Sequence, residues 1–434
     1  MDKYKIGEPC ECKREHRADI DEIIIGKGVV RQVGEVVKSY NCSKPFVLAD
    51  VNTFEAAGKE VCAVLEEKGI PYVKYVFADE ALKPDEKAVG SSVLHFDYSC
   101  DIIIAVGSGV INDIGKILSR ISGRKYIIVA TAPSVDGYAS GTSSMDRDGF
   151  KLSLDSRCAD VIIGDVDILK NAPLHMLKSG LGDMIAKYIS IAEWRIGHLV
   201  TGEYYCEQIA QLVRDALKKC TDNALGLLKR DDAAVEAVFE GLVISGLAMA
   251  YAGISRPASG VEHYFSHVWD MRSLEFSTSV DLHGIQCAMG SRRAVKLYES
   301  LKQITPDREK ALKYVKNFDY DAWKIQLESF FGKGARAMIE QEKTEQKYSK
   351  AAHRKRLEKI IDNWDEILKI LDEELPSFEQ LDELMTALDM PKEFMSIGVD
   401  EEAAKLTFLA TKDIRDKYIL SRLAWDLGVI EELN

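Results

Sequence analysis

Asp183, His263, His267 and His283 are the residues of this sequence best suited to hold a divalent metal. His263 and His267 stand four apart, which puts both on one face of a helix. Asp183 follows Gly180-Leu-Gly182 and is read as opening a helical segment, and His283 follows Asp281-Leu282 at another helix start. One carboxylate and two imidazoles drawn from three helices leave coordination positions open, as a Lewis-acid metal needs. Zinc, nickel and iron(II) all accept that donor set. Any single histidine is more often a structural hydrogen-bonder, and Asp183 alone would be a helix cap. What counts is the concentration of His263, His267 and His283, whereas His16, His95, His198 and His353 stand apart. Cys10-x-Cys12 with His16 could be a metal clip, but the run lacks a second half, and surface or strand cysteines are the plainer reading.

A second signal lies upstream. Ile102-Ile-Ile-Ala-Val-Gly-Ser-Gly109 reads as a buried strand delivering a glycine turn into a helix that begins near Val110 and Ile111. Gly107 and Gly109 let backbone N–H groups approach a pyrophosphate, and the helix N-terminus favours negative charge. Steric need alone also explains two glycines at such a turn. Asp50 ends an earlier strand, where an acidic side chain can accept both ribose hydroxyls; a 2′-phosphate would be repelled, so NAD is favoured over NADP. A loop or cap aspartate is the plain alternative. Thr131-Ala-Pro-Ser134 follows the next strand, at the sheet edge where ligands bind in open α/β folds. Together the two signals point to a metal-assisted redox enzyme that uses a nicotinamide nucleotide.

The elements that would position these residues change character along the chain. Runs at 23–25, 45–49, 72–77, 101–106, 126–130 and 161–163 read as strands alternating with helices, the pattern of a mainly parallel sheet. Gly141 to Leu154 reads as a hairpin through the turn Asp146-Arg-Asp-Gly149. Beyond about Lys170 the pattern is helical, with segments expected at 179–200, 203–225, 231–252, 260–271, 283–300 and 307–316, and charged helices over 335–373 that present solvated faces. The expected architecture is a Rossmann-like α/β domain over 1–166 and an all-helical domain over 167–434, with the cleft between them as the site.

Composition sets the limits. The chain has 434 residues, 46% of them apolar, with 57 basic against 70 acidic side chains and a net charge of −13. That balance argues against nucleic acid as partner, because phosphate backbones need a basic footprint. Nine scattered cysteines suit reduced thiols in the cytoplasm. No signal core is evident at the N-terminus, and no stretch is read as long and apolar enough for a membrane helix.

The motifs Gly107-Ser-Gly-x3-Asp113-x2-Lys116, Thr131-Ala-Pro-Ser134-x-Asp136-Gly, Gly182-Asp183-x3-Lys187, Ser255-Arg-Pro-Ala-Ser-Gly-x-Glu262-His263-x3-His267 and Leu282-His283-Gly, in that order, resemble the bacterial type of the sn-glycerol-1-phosphate dehydrogenase family. That family lies within the iron-containing alcohol dehydrogenase and dehydroquinate synthase-like superfamily. The resemblance spans roughly residues 20 to 300. It implies NAD(P)H-linked reduction of dihydroxyacetone phosphate to sn-glycerol 1-phosphate, a step of phospholipid metabolism. It also implies one divalent metal on Asp183, His263 and His283, with Asp183 touching substrate as well. Gly107, Ser108, Gly109, Val110, Ile111, Thr131, Ser134 and Ser140 would contact the dinucleotide and Asp50 its ribose. Asp136 and His267 would face the substrate, and Arg256 could meet its phosphate. A homodimer is the expected assembly. The rival readings are a glycerol or polyol dehydrogenase on the same scaffold and a dehydroquinate synthase-like lyase; that lyase family presents a glutamate where Asp183 stands.

Overall fold

The apolar runs become strands. The computed structural model describes residues 4–6, 9–147 and 150–434. Its strands are β1 (Glu22–Gly26), β2 (Pro45–Asp50), β3 (Val73–Phe77), β4 (Ile102–Gly107), β5 (Lys125–Ala130), β6 (Thr142–Arg147), β7 (Phe150–Asp155) and β8 (Val161–Asp165). Six of them form one parallel sheet in the order β1-β8-β5-β4-β2-β3. β4 is buried along its whole length, which is why it reads as an unbroken apolar run rather than an alternating one. β6 and β7 form the expected antiparallel hairpin, pairing Met145 with Leu152; Asp148 and Gly149 of its turn lie outside the described residues.

Six helices matter for function: α1 (Gly109–Ser122), α2 (Leu174–Ile185), α3 (Lys187–Thr201), α4 (Asp232–Ala252), α5 (Val261–Phe276) and α6 (His283–Leu301). The single helix expected over 179–200 is two, α2 and α3, interrupted at Ala186. α2 also begins earlier, at Leu174, directly after Pro173, a residue that cannot donate in a helix interior but suits its first turn.

The chain divides into two compact units, Met1–Met184 with Gln211–Ile254, and Ile185–Ala210 with Ser255–Asn434. In the first, Val47, Ile104, Val106, Ile127, Val129 and Val161 of the sheet pack against Val33, Val37, Val61 and Leu65 of the covering helices. α4 belongs to this unit and sets Phe239 against Tyr138, ring centroids 5.3 Å apart. By length and composition α4 could cross a membrane, which corrects the expectation that no stretch qualifies. Most of its apolar window is nonetheless buried inside the structure, as in the core helix of a globular unit.

α2 lies unusually close to the loop after β5. A Cβ at Gly180 would sit 1.8 Å from the Pro133 carbonyl oxygen, a backbone atom that cannot step aside. Ser179 Oγ donates to the Ser134 carbonyl at 3.1 Å beside it.

The second unit is organised around a buried acid. Glu193 on α3 accepts from Tyr298 Oη at 2.9 Å, the Leu420 amide at 2.8 Å and the Val261 amide at 2.9 Å, so one carboxyl group joins three distant segments. Burial first, and the nearby Glu262 carboxylate second, push its pKa up to about 8. Farther along, Arg354 and Lys355 are exposed as expected of a solvated face. Arg356 departs from that expectation. It makes a two-pronged ion pair with the buried Asp426, at 2.7 and 2.9 Å, because helical spacing turns it to the side that carries the buried His353, Leu357 and Ile360.

Two outcomes follow. Gly180→Ala must push α2 off Pro133, and thermal or urea unfolding should show a loss of about 1–3 kcal/mol despite the better helix propensity of alanine. The Glu193 proton is kept by the native state in a pH range where the unfolded chain, near its ordinary value of 4.5, has released it. Stability is therefore highest below pH 4.5 in this respect and falls as pH rises toward 8, by at most about 1.4 kcal/mol per pH unit. A melting series from pH 5 to 8 should show that slope in the wild type and lose it in Glu193→Gln.

Candidate metal and nucleotide sites

In the second unit α5 and α6 bring the three histidines together. Ring centroids of His263 and His283 are 5.1 Å apart, His267 and His283 6.2 Å, and His263 and His267 6.5 Å. The close approach of the helices depends on Gly290, where a Cβ would meet the Glu262 carbonyl oxygen at 2.6 Å. Gln286 on α6 then donates to Asp270 Oδ1 on α5 at 2.9 Å and to the Asp281 carbonyl at 2.8 Å, fixing the register.

The orientation of each imidazole is set by a neighbour. Glu262 Oε1 lies 2.8 Å from His263 Nδ1 and also accepts the Gly260 amide at 2.7 Å. An oxygen that already accepts an amide is an acceptor to the ring as well, so the ring hydrogen is on Nδ1 and Nε2 keeps its lone pair. Ser266 Oγ is 2.9 Å from His283 Nδ1 and leaves the Nε2 side of that ring 3.5 Å from Cys287 Sγ. Burial alone would raise the Cys287 thiol, but the imidazoles of His263 and His283 outweigh it and hold the thiol below its ordinary value. Among the described residues, this is a donor set of imidazole nitrogens and one thiol facing a common point, which suits a first-row divalent metal.

In the first unit the nucleotide candidates gather at the carboxyl ends of neighbouring strands. The chain leaves β2 toward β3 on one side and leaves β4 toward β5 on the other, so the crevice at the ends of β2 and β4 is the switch point where ligands bind in such sheets. Asp50 ends β2 and Gly107 ends β4. Ser108 is the N-cap of α1 without a side-chain cap bond, and the amides of Gly109, Val110 and Ile111 form the first turn, where helices leave N–H groups for an anion. The Thr131 amide donates to the Gly107 carbonyl at 3.1 Å, which seats the Thr131–Ser134 loop beside that turn. Lys116 and Asn112 both donate to the Gly137 carbonyl, at 2.5 and 3.1 Å, and pin the next stretch; Ser140 Oγ lies 3.0 Å from Thr142 Oγ1. Asp50 also serves as a cap, its Oδ1 accepting the Thr53 amide at 2.9 Å, so a ribose contact would rest on Oδ2.

Asp183 does not open a helix. It lies in the last turn of α2, fully buried, and its Oδ2 accepts the Asp136 amide at 2.9 Å. The Asp136 carboxylate in turn accepts from Ser245 on α4 at 2.8 Å. Arg256, considered for a substrate phosphate, is engaged elsewhere. Its guanidinium pairs with Glu203 through two nitrogens and donates to the Tyr418 carbonyl at 2.8 Å. Cys287, Ser266 and Glu193 were not singled out by sequence reasoning. Cys287 had a usable signal, standing four residues after His283 on one helix face. Glu193 had none, since its partners are far away in sequence.

Residues 24–173 match the family model described as iron-containing alcohol dehydrogenase. The chain is 31% identical over 300 residues to glycerol-1-phosphate dehydrogenase [NAD(P)+] of Halalkalibacterium halodurans, covering 68% of this chain and 75% of that protein. It is 34% identical over 296 residues to the protein of the same name from Bacillus licheniformis, covering 67% and 74%. Among solved structures, glycerol dehydrogenase from Schizosaccharomyces pombe aligns over 96% of this chain and 92% of its own with a TM-score of 0.62 at 17% identity, a likeness of fold alone. With its motifs in the family's order, its parallel sheet and its paired imidazoles, the chain belongs to the glycerol-1-phosphate dehydrogenase family of the iron-containing alcohol dehydrogenase fold.

Proposed function

We propose that this chain reduces dihydroxyacetone phosphate to sn-glycerol 1-phosphate with NADH or NADPH, reversibly, using one divalent metal. The observation that carries the reading is the pair of anchored imidazoles, whose Nδ1 atoms are occupied by Glu262 and Ser266 so that both Nε2 atoms are left as donors toward a common point. Asp183, His263 and His283 would hold zinc, nickel or iron(II). A buried carboxylate in the last turn of a helix faces both a desolvation cost and the negative end of the helix, which a bound cation offsets. When bound, the metal supplies Lewis-acid stabilisation of the negative charge that develops on the ketone oxygen.

The remaining roles fall to the chain itself. The amides of Gly109, Val110 and Ile111, with Gly107 and Ser108, receive the pyrophosphate. The hydroxyls of Thr131, Ser134 and Ser140 line the dinucleotide, and Asp50 accepts from its ribose. When bound, the nicotinamide would supply the hydride that the carbonyl carbon takes up. Asp136 and His267 face the substrate, and His267 orients a substrate hydroxyl or relays the proton that the new alcohol takes up. Glu262 makes His263 a stronger donor by sharing its Nδ1 hydrogen. No disulfide joins the cysteines among the described residues, in keeping with a reducing compartment, and a cytoplasmic homodimer completes the proposal.

Protein stripped of metal and reloaded with nickel, zinc or iron(II) should oxidise NADH or NADPH when dihydroxyacetone phosphate is added, followed by nicotinamide absorbance. His263→Ala should lower that rate by at least about 100-fold, and unphosphorylated dihydroxyacetone should turn over far more slowly. Equal turnover of the two ketones would replace the proposal with a polyol dehydrogenase; phosphate release from a sugar-acid phosphate without net nicotinamide change would replace it with a lyase. Chelator competition should show metal held about 10–100-fold more weakly in Glu262→Gln.

A further inference from the structure

The sequence begins with a second set of metal-type side chains that the dehydrogenase reaction does not use. Residues 9–21 run to β1 without helix or strand. The backbone turns at Cys10, whose carbonyl accepts the Lys13 amide at 2.9 Å, with Lys13 in the left-handed region at φ 62°. The turn folds the run Cys10-Glu-Cys12-Lys-Arg-Glu-His16 back on itself, so that one donor atom from each of Cys10, Cys12 and His16 lies within 4.8 Å of the others. Cys10 is buried and the other two are half-buried.

The tautomer of His16 can be read from its surroundings. Its Nδ1 lies 3.1 Å from the Tyr251 carbonyl oxygen. A carbonyl only accepts, so Nδ1 carries the hydrogen and Nε2 presents its lone pair. That nitrogen lies 3.2 Å from Cys12 Sγ. In a tetrahedral zinc site with the usual bond lengths, a sulfur and a nitrogen ligand stand roughly 3.5 Å apart. Small adjustments therefore admit the ion. The carbonyl behind the imidazole is the support that metal-bound histidines normally have.

We propose that Cys10, Cys12 and His16 form a second metal site, structural in role and suited to zinc, that fastens the N-terminal segment to α4. Two thiolates and an imidazole are a softer set than the carboxylate and imidazoles assigned to the catalytic ion, and they favour zinc over magnesium, calcium or manganese. A donor outside this run takes the fourth position. Binding zinc to the two thiols and the neutral imidazole releases two protons, and no change of oxidation state is involved. α4 already holds this segment: Tyr251 Oη donates to the Tyr4 carbonyl at 3.1 Å, and Tyr4 Oη donates to Glu240 Oε1 at 2.9 Å. A coil of this length loses much conformational entropy on docking, and a metal bond is a strong way to offset it.

Metal analysis of the full chain, purified in zinc-containing medium, tests this independently of the reaction. Wild type should carry two ions per chain. Cys10→Ser/Cys12→Ser and His16→Ala should each carry one, melt at lower temperature, and keep the nicotinamide-linked rate; His263→Ala should lose the other ion. Cobalt loading should give a near-ultraviolet thiolate charge-transfer band that persists in Cys287→Ala and disappears in Cys10→Ser/Cys12→Ser. Unchanged metal content in Cys10→Ser/Cys12→Ser, or a Cys10–Cys12 disulfide in protein kept under reducing conditions, would overturn the site. Loss of catalysis in wild type with the two-ion count intact would count against the proposed reaction and leave this site standing.

Discussion

The Glu262 carboxylate is the contact on which the histidine cluster of the second unit depends. It is fully buried, yet it accepts from both the Gly260 amide and His263 Nδ1, so it fixes the entry to α5 and the orientation of the first imidazole together. Two buried carboxylates beside one another would repel, and the fold resolves this by keeping the proton on Glu193. Glu262 then remains the acceptor that His263 needs. The third constraint is steric: α6 can bring His283 alongside only because Gly290 has no Cβ to strike the Glu262 backbone. Charge, tautomer and helix spacing thus meet at one residue.

An analogous economy governs the first unit. The missing Cβ at Gly180 lets α2 rest on Pro133, and that contact brings the last turn of α2 to the Asp136 amide. The loop that carries Asp136 is itself fixed to α1 through Lys116 and Asn112. Thr131, Ser134 and Ser140, assigned to nucleotide, and the carboxylate assigned to metal therefore depend on one stretch after β5. Geometry of this kind tolerates little error, because a small misplacement of reacting groups costs rate steeply.

Much of this was legible in the sequence because it is local. The strand runs, the glycine turn before α1, and the spacing of His263 and His267 are patterns a few residues long, and each appears where periodicity puts it. What escaped depends on partners distant in the chain. Glu193 looks like any helix glutamate until Val261, Tyr298 and Leu420 surround it. Arg356 sits in a run of charges and still pairs with Asp426 inside the unit. Asp183, read as a helix start, lies in a last turn because α2 begins at Leu174, and nothing within its own motif reveals that. His16, beside the Cys10-x-Cys12 run, likewise takes its tautomer from Tyr251, far along the chain.

α4 connects these observations within the first unit. It is apolar enough to cross a bilayer, but it also makes polar contacts with other segments of the unit. Glu240 receives Tyr4, Ser245 holds Asp136, and the Tyr251 carbonyl faces His16. The middle contact holds the loop after β5, while the outer two clamp the N-terminal segment. A helix whose apolar surface could slide in its bed gains its register from such polar contacts, because each buried hydrogen bond is costly to break. On this reading the N-terminal clip bears on the stability of the first unit through one rigid element. It adds to the hold that Glu240 and Tyr251 already have on that segment, whereas the Asp136 loop is held by Ser245 itself, so losing the clip costs stability and leaves the rate in place.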